Sequence, residues 1–482
     1  MVRVSNEFDR KHRIAIIGGG PGGYQAALSG AQLGADVTLI ERAGVGGSAV
    51  LTDVVPSKSL IATADAAHSI QRAGVLGLEF VVDGRKVDVT TTVDLEAVNA
   101  RLLGLAKAQS EDMHAELERA GVRVIQAEGR LDGPGRVVAW RKDGRRKQVI
   151  AEIPADTIVV ATGAHPRELP TARFDGERIL TWTQLYSLTE VPEHLIVVGS
   201  GVTGAEFASA YRLLGARVTL VSSRDRVLPG EDEDAARVLE SVFERAGLEV
   251  LARSRAESVT RTRHGVVVTL ADGRTIEGSH CLVAVGSIPN TKGIGLEKAG
   301  VQLTASGHIR VNRVANTSIP SIYAAGDCSD FLPLASVASM QGRTAVFHAL
   351  GDVALPTEVR NVTSNIFTVP EIATVGWQQK DVEAGTVKGV VTTIPLQANP
   401  RAKMQGIQDG FVKIISTTTT GQVLGGVIVG PKASELILTI AVAVEHRLTT
   451  DQLARAFSVY PSLSGSITDA ARAAHIVVPS SR

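Results

Sequence analysis
Two stretches of this chain follow one plan, and the plan leaves few folds open. The apolar run 13–17 (Arg-Ile-Ala-Ile-Ile) enters Gly18-Gly19-Gly20-Pro21-Gly22-Gly23. Residues 24–33 then read as a small-residue helix, and 37–40 as a second strand ending on Glu41. This order is that of a strand–turn–helix–strand unit built to hold a dinucleotide. Gly18 makes the tight turn, Gly20 lets the backbone approach a pyrophosphate, and Gly23 lets the helix pack close to the strand. The helix N-terminus stabilises phosphates, and Glu41 stands at the spacing of the acid that holds a ribose hydroxyl. The unit recurs. Residues 195–198 form a strand, Gly199, Gly201 and Gly204 a second fingerprint, 205–214 a helix and 217–221 a strand. Two such units imply two dinucleotides, and FAD with NAD(P)H is the simplest pairing.

The second unit departs from the first where Glu41 would fall. Ser222 stands there, followed by Ser223 and Arg224. A carboxylate would accept from a free ribose 2′-hydroxyl and repel a 2′-phosphate. Two hydroxyls and a guanidinium favour the phosphate. The sequence therefore predicts NADPH in preference to NADH.

A length of 482 residues calls for more than one domain, and three are expected. Lys+Arg and Asp+Glu balance at 50 each, so there is no basic footprint for nucleic acid. No apolar run is long enough to insert into a membrane, and residues 1–13 lack the apolar core of a signal peptide. The only cysteines, Cys281 and Cys328, read as buried thiols, and no metal site is expected. A reducing, cytoplasmic location follows.

The segment 46–58, Gly-Gly-Ser-Ala-Val-Leu-Thr-Asp-Val-Val-Pro-Ser-Lys, resembles the active-site signature of the flavoprotein disulfide reductases, the dihydrolipoamide dehydrogenase-like family. That signature reads Gly-Gly-x-Cys-x4-Cys-x-Pro-[Ser/Lys]-Lys. Further ordered segments carry the resemblance over nearly the whole chain. They are Ile-Val-Val-Ala-Thr-Gly at 158–163, Val-Ala-Val-Gly-Ser-Ile-Pro-Asn at 283–290, Thr-Ser-Ile-Pro-Ser-Ile-Tyr-Ala-Ala-Gly-Asp at 317–327 and Phe-Thr-Val-Pro-Glu at 367–371. The resemblance implies an α/β protein with two Rossmann-like dinucleotide-binding domains and a C-terminal α+β dimerisation domain. It implies a discontinuous FAD domain (1–157 and 284–355), an NAD(P) domain (158–283) and an interface domain (356–482), with the chain acting as a homodimer. Within the FAD domain, 101–121 reads as a long helix and 133–152 as a β-meander.

It also implies which residues meet each nucleotide. FAD falls to Gly18, Gly20, Pro21, Gly22, Gly23, Glu41, Arg42, Gly47, Ser48, Lys58, Ala127, Ala161, Thr162, Gly163, Gly326 and Asp327. Leu334, Ala335 and Ser336 open a helix aimed at the flavin ring, and Asp327 holds the ribityl chain. NAD(P)H falls to Gly199, Gly201, Val202, Thr203, Gly204, Glu206, Ser222, Ser223, Arg224, Val285 and Gly286. Lys58 and Glu206 form the ion pair that in the family lies near flavin N5.

Both halves of the family's disulfide chemistry are missing. Ala49 and Val54 occupy the two cysteine positions. The C-terminal motif His-x-His-Pro-Thr-x-Ser-Glu is matched by Ser-Val-Tyr-Pro-Ser-Leu-Ser-Gly at 458–465, which puts Tyr460 at the catalytic histidine and Gly465 at the glutamate. A thiolate is the nucleophile of disulfide exchange, and neither alanine nor valine replaces it. What remains is hydride transfer from nicotinamide to flavin. An apolar slot in place of the disulfide suits a planar oxidant such as a quinone. The pattern is similar to an actinobacterial branch of the family described as NAD(P)H quinone reductases. The expected activity is therefore FAD-dependent NAD(P)H:quinone oxidoreduction, diaphorase-like, with Lys58, Glu206 and Tyr460 as candidate catalytic residues. A soluble pyridine-nucleotide transhydrogenase and a non-catalytic flavin-binding regulatory protein are the alternatives.

Overall fold
The computed structural model describes residues 10–87, 91–143 and 146–475. Most of the polar N-terminal segment, and the tip of the expected meander at 144–145, lie outside them. The chain divides into two compact units. One comprises residues 1–57, 100–167 and 287–358; the other comprises 58–99, 168–286 and 359–482.

The first unit is built on a five-stranded parallel sheet. Its strand order is Ile322–Ala324, Thr157–Val160, Arg13–Ile17, Asp36–Glu41, Arg123–Gln126. The strands are near-continuous apolar runs because both faces are covered; Ala15, Ile16, Leu39 and Val159 are all fully buried. On one face helix Pro21–Gln32 packs against helix Ala335–Ala349. Their approach is close enough that a Cβ on Gly342 would sit 2.0 Å from the Gly22 carbonyl oxygen. The residues expected as a meander form a three-stranded antiparallel sheet, Glu128–Leu131, Arg136–Asp143 and Arg146–Pro154. The expected long helix spans Leu95–Arg119. Two short strands pair antiparallel, Ala164–Pro166 with Ser287–Pro289. The Arg167 guanidinium also donates to the Ser287 carbonyl at 3.2 Å.

The second unit repeats the parallel plan. Its order is Ile179–Leu180, His280–Val283, His194–Val198, Arg217–Val221, Glu249–Leu251. A three-stranded antiparallel sheet, Ala256–Arg261, Val266–Leu270 and Thr275–Gly278, joins its core. The C-terminal part is a five-stranded antiparallel sheet in the order Ser364–Ile366, Glu371–Gly376, Val423–Gly430, Phe411–Ser416, Val390–Pro395. Helix Ala433–Glu445 lays Ile437, Ile440 and Ala443 onto that sheet. A buried ion cluster ties the nucleotide-type fold to it. Lys413, on strand Phe411–Ser416, is completely buried, and its ammonium donates to both Asp232 oxygens (2.9 and 2.8 Å), to Asp234 (2.7 Å) and to Gln379 (2.6 Å). Asp232 also caps helix Glu233–Arg245 by accepting from the Ala235 N–H at 3.2 Å.

Candidate functional site
The first fingerprint folds as its glycines require. Gly18 has φ +100°, and a Cβ there would lie 2.2 Å from the Ala161 carbonyl oxygen. A Cβ on Gly23 would lie 1.8 Å from the Gly18 oxygen. Gly20 behaves differently, since a Cβ there would meet nothing within 4 Å. It forms the N-cap of helix Pro21–Gln32 with no side chain capping it, the arrangement an anion site needs. The Glu41 carboxylate is buried and fixed to this loop, accepting from Gly19 N–H (2.6 Å) and Ala43 N–H (2.7 Å). Gly47 presses on the loop too: its Cβ would come within 2.8 Å of the Gly20 Cα.

The other FAD candidates in this unit gather along the sheet's carboxyl ends. Ala127 donates to the Glu41 carbonyl at 2.9 Å. Ala161 is buried, and Thr162 exchanges hydrogen bonds with Asn290 (2.9 Å each way). Gly163 is open on its Cβ side. Gly326 donates to Gln341 Oε1 at 2.8 Å. Leu334 is the uncapped N-cap of helix Ala335–Ala349, and Ala335 and Ser336 are exposed in its first turn. Arg42 and Ser48 are exposed. Asp327 is half-buried, and among the described residues none hydrogen-bonds its carboxylate. Burial pushes its pKa up, partly offset by His308. An open helix N-terminus, a fixed ribose acceptor and a carboxylate without a partner fit FAD.

This fit yields a prediction. Asp327→Ala should weaken FAD retention by about 1.5–3 kcal/mol, the worth of a hydrogen bond to a charged group. The ionised form is the one that accepts a ribityl hydroxyl. FAD affinity should therefore be full above the raised pKa of the free protein and fall as pH drops through it. Flavin absorbance retained after gel filtration, compared across pH in wild type and Asp327→Asn, measures both. Identical retention in both proteins would remove Asp327 from the site.

The second fingerprint repeats the first almost distance for distance. Gly199 has φ +112°, with a Cβ position 2.3 Å from the Ala284 oxygen, and that of Gly204 lies 1.9 Å from the Gly199 oxygen. Gly201 is open, and it is the uncapped N-cap of helix Val202–Leu213. A cleft of about 600 Å³ lies beside it, with Gly199, Ser200, Ser223, Arg255 and Val285 in its wall. Val202 is exposed and Thr203 half-buried at the helix start, and Gly286 is exposed with φ +93°.

Ser222 does not face this cleft. It is fully buried, its hydroxyl lies 2.7 Å from that of Ser200, and it accepts from the Arg224 N–H at 3.1 Å. Its hydroxyl supports the turn, and Ser223 is the residue of the pair that reaches the wall. The Arg224 side chain is exposed and is not part of the wall.

Lys58 and Glu206 come together as the family resemblance implies, with Nζ 2.8 Å from Oε2. Glu206 is only 4 % exposed, and its other oxygen accepts from the Phe367 N–H at 2.9 Å. The Phe367 ring lies under the Lys58 ammonium, 5.0 Å from its centroid. One helical turn on, Ser209 accepts from the Val369 N–H at 3.2 Å. The sequence marks Phe367 only as part of a segment that carries the family resemblance and gives no sign of this role, because nothing local marks the contact. Arg255 carries no motif either. The rule that ligands lie at the carboxyl ends of parallel strands could have found it just beyond Glu249–Leu251. Tyr460 is 82 % exposed in the loop before helix Gly465–Ala473, beside exposed Phe457 and Val459.

Each unit thus carries a glycine-rich turn, an uncapped helix and a parallel sheet, which is the framework of a two-nucleotide flavoprotein oxidoreductase. The chain belongs to the pyridine nucleotide-disulphide oxidoreductase family, whose profile matches residues 12–342; the family's dimerisation domain matches residues 362–471. The family binds FAD and uses NAD(P)H. A protein of Mycobacterium tuberculosis named NAD(P)H dehydrogenase (quinone) is 52 % identical over 469 residues, covering 95 % of this chain and 93 % of that one. The crystal structure of LpdA from the same organism superimposes with a TM-score of 0.90 at 51 % identity, covering 96 % of this chain and 99 % of that one. A dihydrolipoyl dehydrogenase of Bacillus subtilis is 32 % identical over 464 residues, 95 % of this chain and 97 % of the relative.

Proposed function
We propose that this chain is an FAD-dependent NAD(P)H:quinone oxidoreductase that prefers NADPH and has no disulfide reductase activity. One observation carries the reading. Both nucleotide cradles are intact, whereas Ala49, Val54 and Tyr460 stand where the family's disulfide chemistry requires two cysteines and a histidine. The name of the Mycobacterium tuberculosis relative supports the quinone as acceptor. Bound FAD would supply a two-electron carrier between the nicotinamide and the acceptor. The protein's part is placement. Glu206, held by the Phe367 N–H, fixes the Lys58 ammonium beside the helix that the second fingerprint opens. That fixed charge pair orients the nicotinamide end of the nucleotide.

The working form is a homodimer, supported by the dimerisation-domain match and by the exposed apolar residues Phe457, Val459 and Tyr460. Tyr460 reaches toward the other subunit and donates a hydrogen bond there. A cytoplasmic location is consistent with the described residues, none of whose helices is long and apolar enough to cross a membrane.

Stopped-flow mixing tests this reading. NADPH should bleach the flavin absorbance, and quinones should restore it faster than oxygen or any disulfide does. Reduction by neither nucleotide would leave a flavin-holding protein without this activity. NADPH-driven reduction of a thionicotinamide NAD analogue at the quinone rate would instead favour a transhydrogenase.

A further inference from the structure
We infer that Arg255, together with Ser223, reads the 2′-phosphate of NADPH and so sets nucleotide preference. This inference rests on the proposed use of NADPH and names a residue that carries it. Ser222 is excluded by geometry, since its hydroxyl is turned inward onto Ser200 and onto the backbone of its own turn. Among the described residues Arg255 is the only cationic side chain in the cleft wall, which it shares with Ser223 and Ser254. It is exposed, and among the described residues no acid pairs with it. A guanidinium without a partner at the rim of an anion-binding cleft is suited to a phosphate dianion, which it can grip through two parallel N–H bonds.

The backbone holds this arrangement in register. The Arg253 N–H donates to the Arg224 carbonyl at 2.7 Å, and the Ser254 N–H donates to the Ser222 carbonyl at 2.7 Å. The turn bearing Ser223 and the turn bearing Arg255 are therefore stitched into one piece. The stitch also brings two further exposed arginines, Arg224 and Arg253, to the same end of the sheet, neither with an acidic partner among the described residues. They add positive potential there. Glu257 lies in the same wall and opposes it with one carboxylate. The balance favours an anion beyond the pyrophosphate that the helix N-terminus already serves. The apolar part of the wall, Leu169, Pro170 and Ala256, is left for the adenine ring.

Calorimetric titration of the FAD-loaded protein with 2′,5′-ADP and with 5′-AMP tests this directly, because the two probes differ only in the phosphate. Wild type should bind 2′,5′-ADP more tightly. Arg255→Ala should lower that affinity about ten- to hundred-fold, as expected for a charge-assisted contact, and leave 5′-AMP nearly unchanged. Arg255→Lys should restore part of the difference, and the difference should shrink as salt rises. Arg224→Ala should have the smaller effect. Equal losses for both probes in Arg255→Ala would show that the residue packs the adenine and would overturn the inference. So would an unchanged Arg255→Ala with the whole loss in Arg224→Ala. Equal affinity of wild type for the two probes would refute the NADPH preference itself, and binding of neither would refute nucleotide use at this cleft.

Discussion

Lys413→Ala should destabilise the protein by about 3–5 kcal/mol, the cost of stripping a buried charge of its partner. The lysine is fully buried, and Asp232, 1 % exposed at its side chain, would keep a carboxylate with no ammonium against it. The loss would spread, because Asp232 also caps helix Glu233–Arg245. Pairing Lys413→Met with Asp232→Asn should recover much of the loss, since the buried carboxylate is then gone, Asp234 is half exposed to water, and an N-cap side chain remains. Urea unfolding of the two variants and wild type, at matched FAD content, measures this. A loss below about 1 kcal/mol for Lys413→Ala, the size of an ordinary substitution, would mean that water reaches the cluster.

Dithionite titration of the FAD-loaded protein should end at two electrons per chain. A disulfide reductase takes up four, because a cysteine pair adds a second redox centre. The only sulfur atoms here that could form such a pair are those of Cys281 and Cys328, and both are free and buried. Burial raises the pKa of each thiol, so neither offers a ready thiolate. Lipoamide, glutathione and mercuric ion should accordingly go unreduced. Uptake of four electrons, or steady turnover of dihydrolipoamide, would contradict the assignment of Ala49 and Val54 as the end of thiol chemistry in this chain.

What is legible in the residues themselves is local. A glycine that must adopt positive φ, or let one backbone touch another, is marked by its identity and its neighbours. The roles of Gly18, Gly23, Gly199 and Gly204 therefore follow from their spacing within each fingerprint. The Lys58–Glu206 pair is legible only through family resemblance, since the two residues lie far apart in the chain. Contacts that depend on how distant segments meet leave no such mark. The backbone bond from Phe367 to Glu206 is one case, and the Lys413 cluster is another. The inward turn of Ser222 has no signature either, because it depends on Ser200 rather than on any nucleotide.

The two fingerprints differ in a coupled pair of residues. In the first, glycine stands at position 19 and a carboxylate at 41, and the carboxylate accepts from the glycine's own N–H. Any Cβ at 19 would crowd that carboxylate, at 3.2 Å from its Cγ. In the second, the corresponding places hold Ser200 and Ser222, joined hydroxyl to hydroxyl. A residue with a Cβ fits poorly opposite the carboxylate of the first arrangement. Ser222→Glu alone would drive a carboxylate against the Ser200 side chain, in a spot that admits no water. Conversion of the second cradle to the first therefore calls for Ser200→Gly together with Ser222→Glu, a change to the floor of the cradle and not to the cleft wall that Ser223 and Arg255 share.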